Sequence, residues 1–381
     1  MKVPSQFDNI RPYEPEELPQ VFDRLLADAQ FRACLAAVFP NVPIETLDAR
    51  IRSCKTNLEF QMQMCYVFLK GLLAKASTGC DVDISNIDKE ARHTFVTNHR
   101  DIVLDSALLD VMLVEHGVTA TCEIAIGDNL LAAPWIEDLV RVNKSFIVRR
   151  GAHMREMLAN SRQLSEYMHF VISRKGNNIW IAQREGRAKD SDDRTQESIL
   201  KMMAMGGEGT PVERLRQLSI VPVAISYEYD PCDFLKAAEF QLKRDVEGWK
   251  KSKADDVNSM KTGIMGYKGD IHYHCAPCIN DFLATLDTAM PHADMFREVA
   301  RHIDKEIHSH YRLYPHNYIA MDTLDGTHSE GYTPADVEHF EKYISCQIDK
   351  IDIPHKDADY LRERILTMYA NPARNKIAAL A

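Results

Sequence analysis

Short β-rich segments that alternate with helix-period segments most constrain the fold of this 381-residue chain. Between these segments apolar residues recur at spacings of three and four, for example over 105–116, which Gly117 ends, and over 153–168. Strands that alternate with helices are typical of an α/β domain. From about residue 91 the predicted strands are HTFVTN, VTATCEIAI, SFIVRR, NIWIAQ, SIVPVAISY and GDIHYHC.

Helical regions are predicted on both sides of this α/β domain. Over residues 1–85 the apolar spacing is helical, and Pro15, Pro40 and Pro43 precede successive segments. Near the other end Thr333 can cap a helix whose first position is Pro334. We predict a helical N-terminal domain over 1–85, the α/β domain over 86–330 and a helical C-terminal extension over 331–381.

Composition and charge limit the class of protein. The formal net charge of −10 argues against a general nucleic-acid binder. Nine cysteines without a repeating framework indicate a reducing compartment. The first residues are polar and acidic, unlike a signal peptide, and no stretch has the ~20 apolar residues of a spanning helix. We expect a cytoplasmic protein whose membrane contact, if it has one, is peripheral.

Ionisable residues cluster directly before one apolar helix, in TNHRDIVLDSALL at 97–109. A histidine at a strand end can take a proton from a hydroxyl, while a nearby aspartate fixes its tautomer and stabilises the imidazolium. His99 and Asp105 are the candidates for these two positions. An ordinary helix start, with Asn98 or Asp101 as the cap, explains the same cluster about equally well.

The separation of His99 and Asp105 is a further constraint. A six-residue step on an ideal helix rotates by about 600°, which leaves the two side chains about 120° apart. Asp105 therefore reaches His99 only if a loop or bulge absorbs the extra residue, and Asp101 is the competing partner. We favour Asp105 because the apolar helix begins just after it.

Basic residues follow two of the predicted strands. Arg149 and Arg150 end SFIVRR, and the segment AQREGRAKD places Arg184, Arg187 and Lys189 around Gly186. Arginines at strand ends suit bidentate binding of phosphate, although single surface arginines usually only face solvent.

Four of these segments, taken in order, resemble blocks of the glycerol-phosphate and lysophosphatidate acyltransferases. NHRDIVLDS is similar to the His-x-x-x-x-Asp block with one additional residue, and SFIVRR to an aromatic-aliphatic run that ends in arginine. IWIAQREGRAKD is similar to the block built on Glu-Gly-x-Arg, without its frequent threonine, and IVPVAISYE to the Val-Pro-Val strand. The resemblance spans roughly 90–330 and implies an acyltransferase-type mixed sheet flanked by helices.

The resemblance implies direct transfer of a fatty acyl group from acyl-CoA or acyl carrier protein to a hydroxyl of glycerol-3-phosphate or lysophosphatidate. His99 would deprotonate the acceptor and Asp105 would orient His99, with no acyl-enzyme, cofactor or metal. Arg149, Arg150, Arg187 and Lys189 would hold the acceptor phosphate, and Glu185 and Gly186 would shape the turn. The alternatives are an acylated amino acid lipid as acceptor, or a non-catalytic module that binds lipid or carrier protein.

Two further segments have residue types suited to binding. HYHCAPC at 272–278 has zinc-ligand residue types, but no second pair completes a tetrahedral set nearby, so an ordinary strand and turn is predicted. The segment 233–256 mixes apolar residues with Lys250, Lys251 and Lys253. It predicts a basic amphipathic helix on an anionic membrane, at the inner face, or alternatively a core-packed helix with a solvated basic end.

Overall fold

A computed structural model describes residues 2–151, 153–287 and 289–381. These residues form one seven-stranded sheet in the order β1-β7-β6-β2-β5-β3-β4. Its neighbouring strands pair in parallel except β6 and β7, which pair antiparallel. The strands are β1 (Gly79–Asp83), β2 (Thr94–Thr97), β3 (Cys122–Gly127), β4 (Ser145–Val148), β5 (Asn178–Ala182), β6 (Ile220–Tyr227) and β7 (Asp270–Cys275).

Helices surround this sheet and continue at both ends of the chain. The N-terminal helices are α1 (Leu18–Ala27), α2 (Ala29–Val38), α3 (Ile44–Ser53), α4 (Asn57–Phe60) and α5 (Val67–Ala76). Among the strands lie α6 (Leu104–Glu115), α7 (Pro134–Val142), α8 (Met154–Phe170), α9 (Glu197–Met203), α10 (Pro211–Gln217), α11 (Asp233–Asp245) and α12 (Lys253–Met265). The last helices are α13 (Asn280–Thr285), α14 (His292–Ser309), α15 (Pro315–Asp325), α16 (Pro334–Asp349) and α17 (Ala358–Leu380).

The central strands are buried on both faces, which is why they read as continuous apolar runs. Successive side chains of a strand point to opposite faces, so Phe95 packs into one core and Val96 into another. Trp180 and Ile181 of β5 alternate in the same way. The predicted mixed α/β fold with helical terminal regions is confirmed, and each of the six predicted strands is present.

The C-terminal helices have a third core of their own. Ala237 of α11 packs with apolar residues of α15, α16 and α17, including Phe340 and Ile365. As predicted, the Thr333 side chain caps α16 and Pro334 is its first residue. Asp233, at the start of α11, accepts hydrogen bonds from the hydroxyls of Tyr343 at 2.6 Å and Tyr369 at 2.9 Å. The extension is therefore tied to the sheet domain by buried polar contacts.

Two sequence expectations differ from the structure. Residues 79–83 were expected to be helical but form β1, a half-buried edge strand whose two aspartates are poor strand formers. The segment 233–256 is not one helix: α11 ends at Asp245, and α12 starts after a break with Gly248 at φ +71°. The domain boundaries at 85/86 and 330/331 stay predictions. Among the described residues, no helix is long and apolar enough to cross a bilayer.

Candidate active site

The parallel strands bring the predicted site residues to one edge of the sheet. The loops after β2, β4, β5 and β6 leave the sheet at its carboxyl edge, where ligands bind in open α/β sheets. His99 follows β2, Arg149 and Arg150 follow β4, and 185–189 follows β5.

His99 and Asp105 are brought together at this edge. The Asn98 side chain accepts from Ile225 N at 2.7 Å and donates to Ile225 O at 2.9 Å, which fixes the chain beside β6 as it leaves β2. His99 lies in the loop that follows, while Asp105 is in the first turn of α6. His99 Nδ1 is 2.8 Å from Asp105 Oδ2. The loop thus absorbs the additional residue.

Asp105 is a fully buried carboxylate whose oxygens are both occupied. Oδ2 also accepts from Arg100 N at 2.7 Å, and Oδ1 accepts from Asp101 N at 3.0 Å and Tyr227 Oη at 3.3 Å. These donors offset the cost of burying the charge. If Nδ1 carries the proton directed at Asp105, Nε2 is left free to accept one. The edge of Trp180 packs against the imidazole, with the ring centroids 5.8 Å apart.

Asp101, the competing partner, binds the backbone at the start of α6 instead. Its Oδ1 accepts from Val103 N and Leu104 N, both at 2.8 Å. Burial, with a smaller contribution from the Asp105 charge, raises the pKa of Asp101. The N-cap residue of α6 itself is Val103, so neither Asn98 nor Asp101 occupies that position, although Asp101 binds the first turn.

Arg100 is a site-supporting residue that sequence reasoning missed. Its guanidinium is buried, forms an ion pair with Asp193 at 2.9 Å and lies over the Tyr311 ring at 5.5 Å. Arg100 and Tyr227 both line a small cleft between the sheet and the C-terminal helices, where Tyr369 of α17 forms part of the wall. The only sequence signal for Arg100 is its position next to His99.

The residues after β4 and β5 form a second group. Arg150 Nη2 lies 2.8 Å from Glu185 Oε1 and so joins the two loops. Gly186, with φ +66°, makes the left-handed turn that follows Glu185. Arg149 is exposed and donates to Asn9 O at 2.9 Å, so its contact in this structure is with the N-terminal segment and not with the β5 loop.

Arg187 and Lys189 lie among acidic side chains. Burial opposes the charge of Arg187, but Cys232, Asp230 and Asp101 outweigh it and raise its pKa. The buried Nη1 of Arg187 has no hydrogen-bond partner among the described residues. Lys189 contacts Glu239 of α11, which also binds Lys243. Burial and the Lys243 ammonium lower the pKa of Lys189 to about 7 despite that carboxylate.

Helix α12 covers the Asp101 side of the site. A Cβ at Gly263 would collide with Oδ2 of Asp101, so only glycine allows this close approach. The Cys232 thiol, on the same side, lies 3.3 Å from Ser259 O of α12. Asp101 and Cys232 are thus enclosed.

The histidines of HYHCAPC pair with β1. His272 Nδ1 lies 3.1 Å from Asp81, and His274 Nδ1 lies 3.2 Å from Asp83. The first part of the segment is strand β7, as predicted. No cluster of three or more metal-ligating side chains occurs within the described ranges.

Comparisons with known proteins bear on the same part of the chain. Residues 81–226 match the family model described as Acyltransferase. That range holds His99, Asp105 and the two basic loops. Among solved structures, the 1-acyl-sn-glycerophosphate (LPA) acyltransferase PlsC from Thermotoga maritima is similar at 12% identity and a TM-score of 0.38, covering 77% of this chain and 97% of that chain. No curated protein sequence matches.

Proposed function

We propose, on the premise that residues 81–226 form an acyltransferase domain, that this chain is an O-acyltransferase of phospholipid synthesis. It moves a fatty acyl group from acyl-CoA or acyl carrier protein to a hydroxyl of glycerol-3-phosphate or lysophosphatidate. The observation that carries the proposal is the 2.8 Å contact between His99 Nδ1 and Asp105 at the carboxyl edge of the sheet.

The chemistry follows from that pair. Nε2 of His99 takes the proton of the acceptor hydroxyl as its oxygen attacks the thioester carbonyl carbon. The tetrahedral intermediate then collapses: the carbon–sulfur bond breaks, and the leaving thiolate takes the proton from the imidazolium. Asp105 stabilises the imidazolium between the two steps. The reaction needs no acyl-enzyme, metal or cofactor.

The acceptor phosphate is assigned to the basic loops. Arg149, Arg150, Arg187 and Lys189 lie after strands that end at the same edge as His99. The unpartnered Nη1 of Arg187 is a buried donor that a phosphate oxygen would satisfy. Glu185 and Gly186 hold the turn between the arginines.

A second acceptor class is favoured by one observation. Asp101 and Asp230 lie close enough to Arg187 to raise its pKa, and Glu239 contacts Lys189. These carboxylates reduce the positive charge available to a phosphate dianion. An acylated amino acid lipid, which carries an ammonium or carboxylate in place of phosphate, is therefore the alternative acceptor.

We place the enzyme in the cytoplasm, peripheral on the inner face of the membrane, because a long-chain lipid product must reach the bilayer. Lys250, before α12, and Lys253, its first residue, are exposed and available to anionic headgroups. Lys251 is half-buried beside them.

The test is mass spectrometry of products formed from acyl-CoA or acyl carrier protein and a panel of acceptors. We expect transfer to glycerol-3-phosphate or lysophosphatidate, and little to monoacylglycerol. His99→Ala should lower turnover by at least about 100-fold. The matched control is His339→Ala, an exposed residue of α16, which should leave turnover unchanged.

Three results would contradict the assignment. Equal use of phosphate-bearing and phosphate-free acceptors would favour an acylated amino acid lipid over a phosphate-bearing acceptor. Full activity of His99→Ala would show that His99 is not the general base. Binding of acyl donor without transfer to any acceptor would leave a non-catalytic binding module.

A further inference from the structure

The first two turns of α8 expose their side chains to solvent. All residues from 153 to 159 are exposed, and the buried side chains of this helix begin at Leu164. Met154, Met157 and Leu158 are 85%, 54% and 62% exposed. Their spacing of three and four places them on one helix face. An apolar face held in water in this way indicates a binding partner.

The charge around this face is positive, with Arg155 beside it and with Arg150 and Arg162 paired to the carboxylates of Glu185 and Glu166. Residues 149–162 contain four arginines and one acidic residue, in a chain whose net charge is −10. Arg155 and Arg162 lie on the same helix beside the apolar residues. An apolar face with a basic rim complements an anionic lipid surface. A second copy that presented the same face would bring two basic rims together, where like charges repel.

The exposed face lies near the candidate active site. In the sheet, β5 and β3 separate β4 from β2, so the ends of β4 and β2 are about 14 Å apart at ordinary strand spacing. Gly151 lies close against the first turns of α8, since a Cβ there would collide with the backbone N of Met157. The start of α8 therefore lies beside Gly151, the neighbour of Arg150 in the chain.

We propose that Met154, Met157 and Leu158 insert into the interfacial region of an anionic bilayer, with Arg155 and Arg162 at the headgroups. This orientation turns the carboxyl edge of the sheet, and with it His99, toward the membrane. The docking surface follows from exposure and charge, while its use in delivering a lipid acceptor rests on the proposed function.

The region around α12 is a weaker candidate for the same role. Residues 245–261 contain four basic and four acidic residues, so the positive field of the lysines is cancelled locally. Lys251 also forms an ion pair with Asp256 at 2.8 Å and donates to Ser259 at 2.9 Å. The exposed Val246, Val257 and Met265 of this region therefore serve as a matched control.

The experiment is flotation of the full chain with vesicles of phosphatidylcholine, alone or mixed with phosphatidylglycerol. The triple variant Met154→Gln, Met157→Gln and Leu158→Gln should bind the anionic vesicles at least about tenfold more weakly than wild type. Arg155→Gln should weaken binding about fivefold at low salt and reduce its salt dependence. The control variant Val246→Gln, Val257→Gln and Met265→Gln should bind as wild type does.

The proposal is overturned if the α8 triple variant, shown by circular dichroism to be folded, binds as tightly as wild type. It is equally overturned if wild type does not bind anionic vesicles. It is also overturned if wild type is a dimer that this variant makes monomeric, since a second copy would then cover the face. Acyl transfer from a short-chain acyl-CoA to two soluble acceptors, glycerol-3-phosphate and a short-chain lysophosphatidate, separates the two proposals. Vesicle binding without acyl transfer would contradict only the proposed function. Acyl transfer without vesicle binding would contradict only the proposed docking surface.

Discussion

Asp105 organises its surroundings because a buried carboxylate must satisfy both oxygens. It accepts from two backbone N–H groups, a tyrosine hydroxyl and His99, so the loop from 99 to 105 wraps around one side chain. Asp101 instead holds the start of α6 through two backbone donors. The two aspartates are therefore expected to differ sharply under substitution.

Asp105→Asn should lower kcat/KM for acyl transfer by about 100-fold or more, and Asp101→Asn by less than about tenfold. The amide introduced in place of the Asp105 carboxylate would turn an NH₂ group toward donors and would favour the wrong histidine tautomer. Steady-state kinetics of the two variants, with thermal melts to show that both fold, measures the difference. A larger loss for Asp101→Asn would assign Asp101 as the functional partner.

Single residues were predictable where the chemistry lies within one segment. His99, Asp101 and Asp105 are close in sequence, and helix geometry predicted that Asp105 reaches His99 only if a loop or bulge absorbs the additional residue. The ion pair of Arg100 and Asp193 was not predictable, because its members are far apart and no spacing rule connects them. The acidic neighbours of Arg187 include one from the loop after β6, which only the fold brings near.

At the scale of elements, the packing of α12 over the loop after β2 depends on the absence of a side chain at Gly263. Gly263→Ala should displace either α12 or the Asp101 side chain and lower the free energy of unfolding by about 1–3 kcal/mol. Gly71→Ala in α5 is the matched control, because a Cβ there meets nothing within 4 Å.

In the same urea unfolding experiment, Gly71→Ala should raise stability by about 0.5–1 kcal/mol, as expected for a helix-interior glycine. Similar changes at the two positions would show that α12 does not approach Asp101 this closely.

The strands were predictable because central strands buried on both faces form unmistakable apolar runs. β1 was missed since an edge strand of five residues with two aspartates has no such run. The break between α11 and α12 was missed because lysines and apolar residues keep a helical spacing across Gly248, whose positive φ the pattern does not reveal.

At the scale of the whole molecule, Asp233 joins three helices and titrates in an unusual range. Burial raises its pKa to about 7, well above the ordinary value of about 3.9. The folded protein therefore binds this proton more tightly than the unfolded chain does. The resulting stabilisation is complete below about pH 4 and is lost as the pH rises to about 7.

Asp233→Asn introduces a neutral side chain that can still accept a hydrogen bond from a tyrosine hydroxyl. It should therefore abolish the loss of stability between about pH 4 and about pH 7. Relative to wild type, we expect its Tm to rise as the pH is raised from 5 to 8. Asp349→Asn, which changes an exposed carboxylate, is the control for net charge. An unchanged Tm difference between pH 5 and pH 8 would show that Asp233 is ionised throughout.

Contacts between α17 and residues 190–194 determine how much of the chain a fragment must contain to keep the surroundings of His99 intact. In α17, Asn371 donates to Asp190 O at 2.8 Å, and Asn375 accepts from Arg194 at 3.1 Å. Asp193, which lies between Asp190 and Arg194 in the sequence, forms the ion pair with Arg100, the neighbour of His99. The family match stops at residue 226. A fragment that ended there would contain the His99–Asp105 pair. It would lack α17, which holds the segment that positions Arg100.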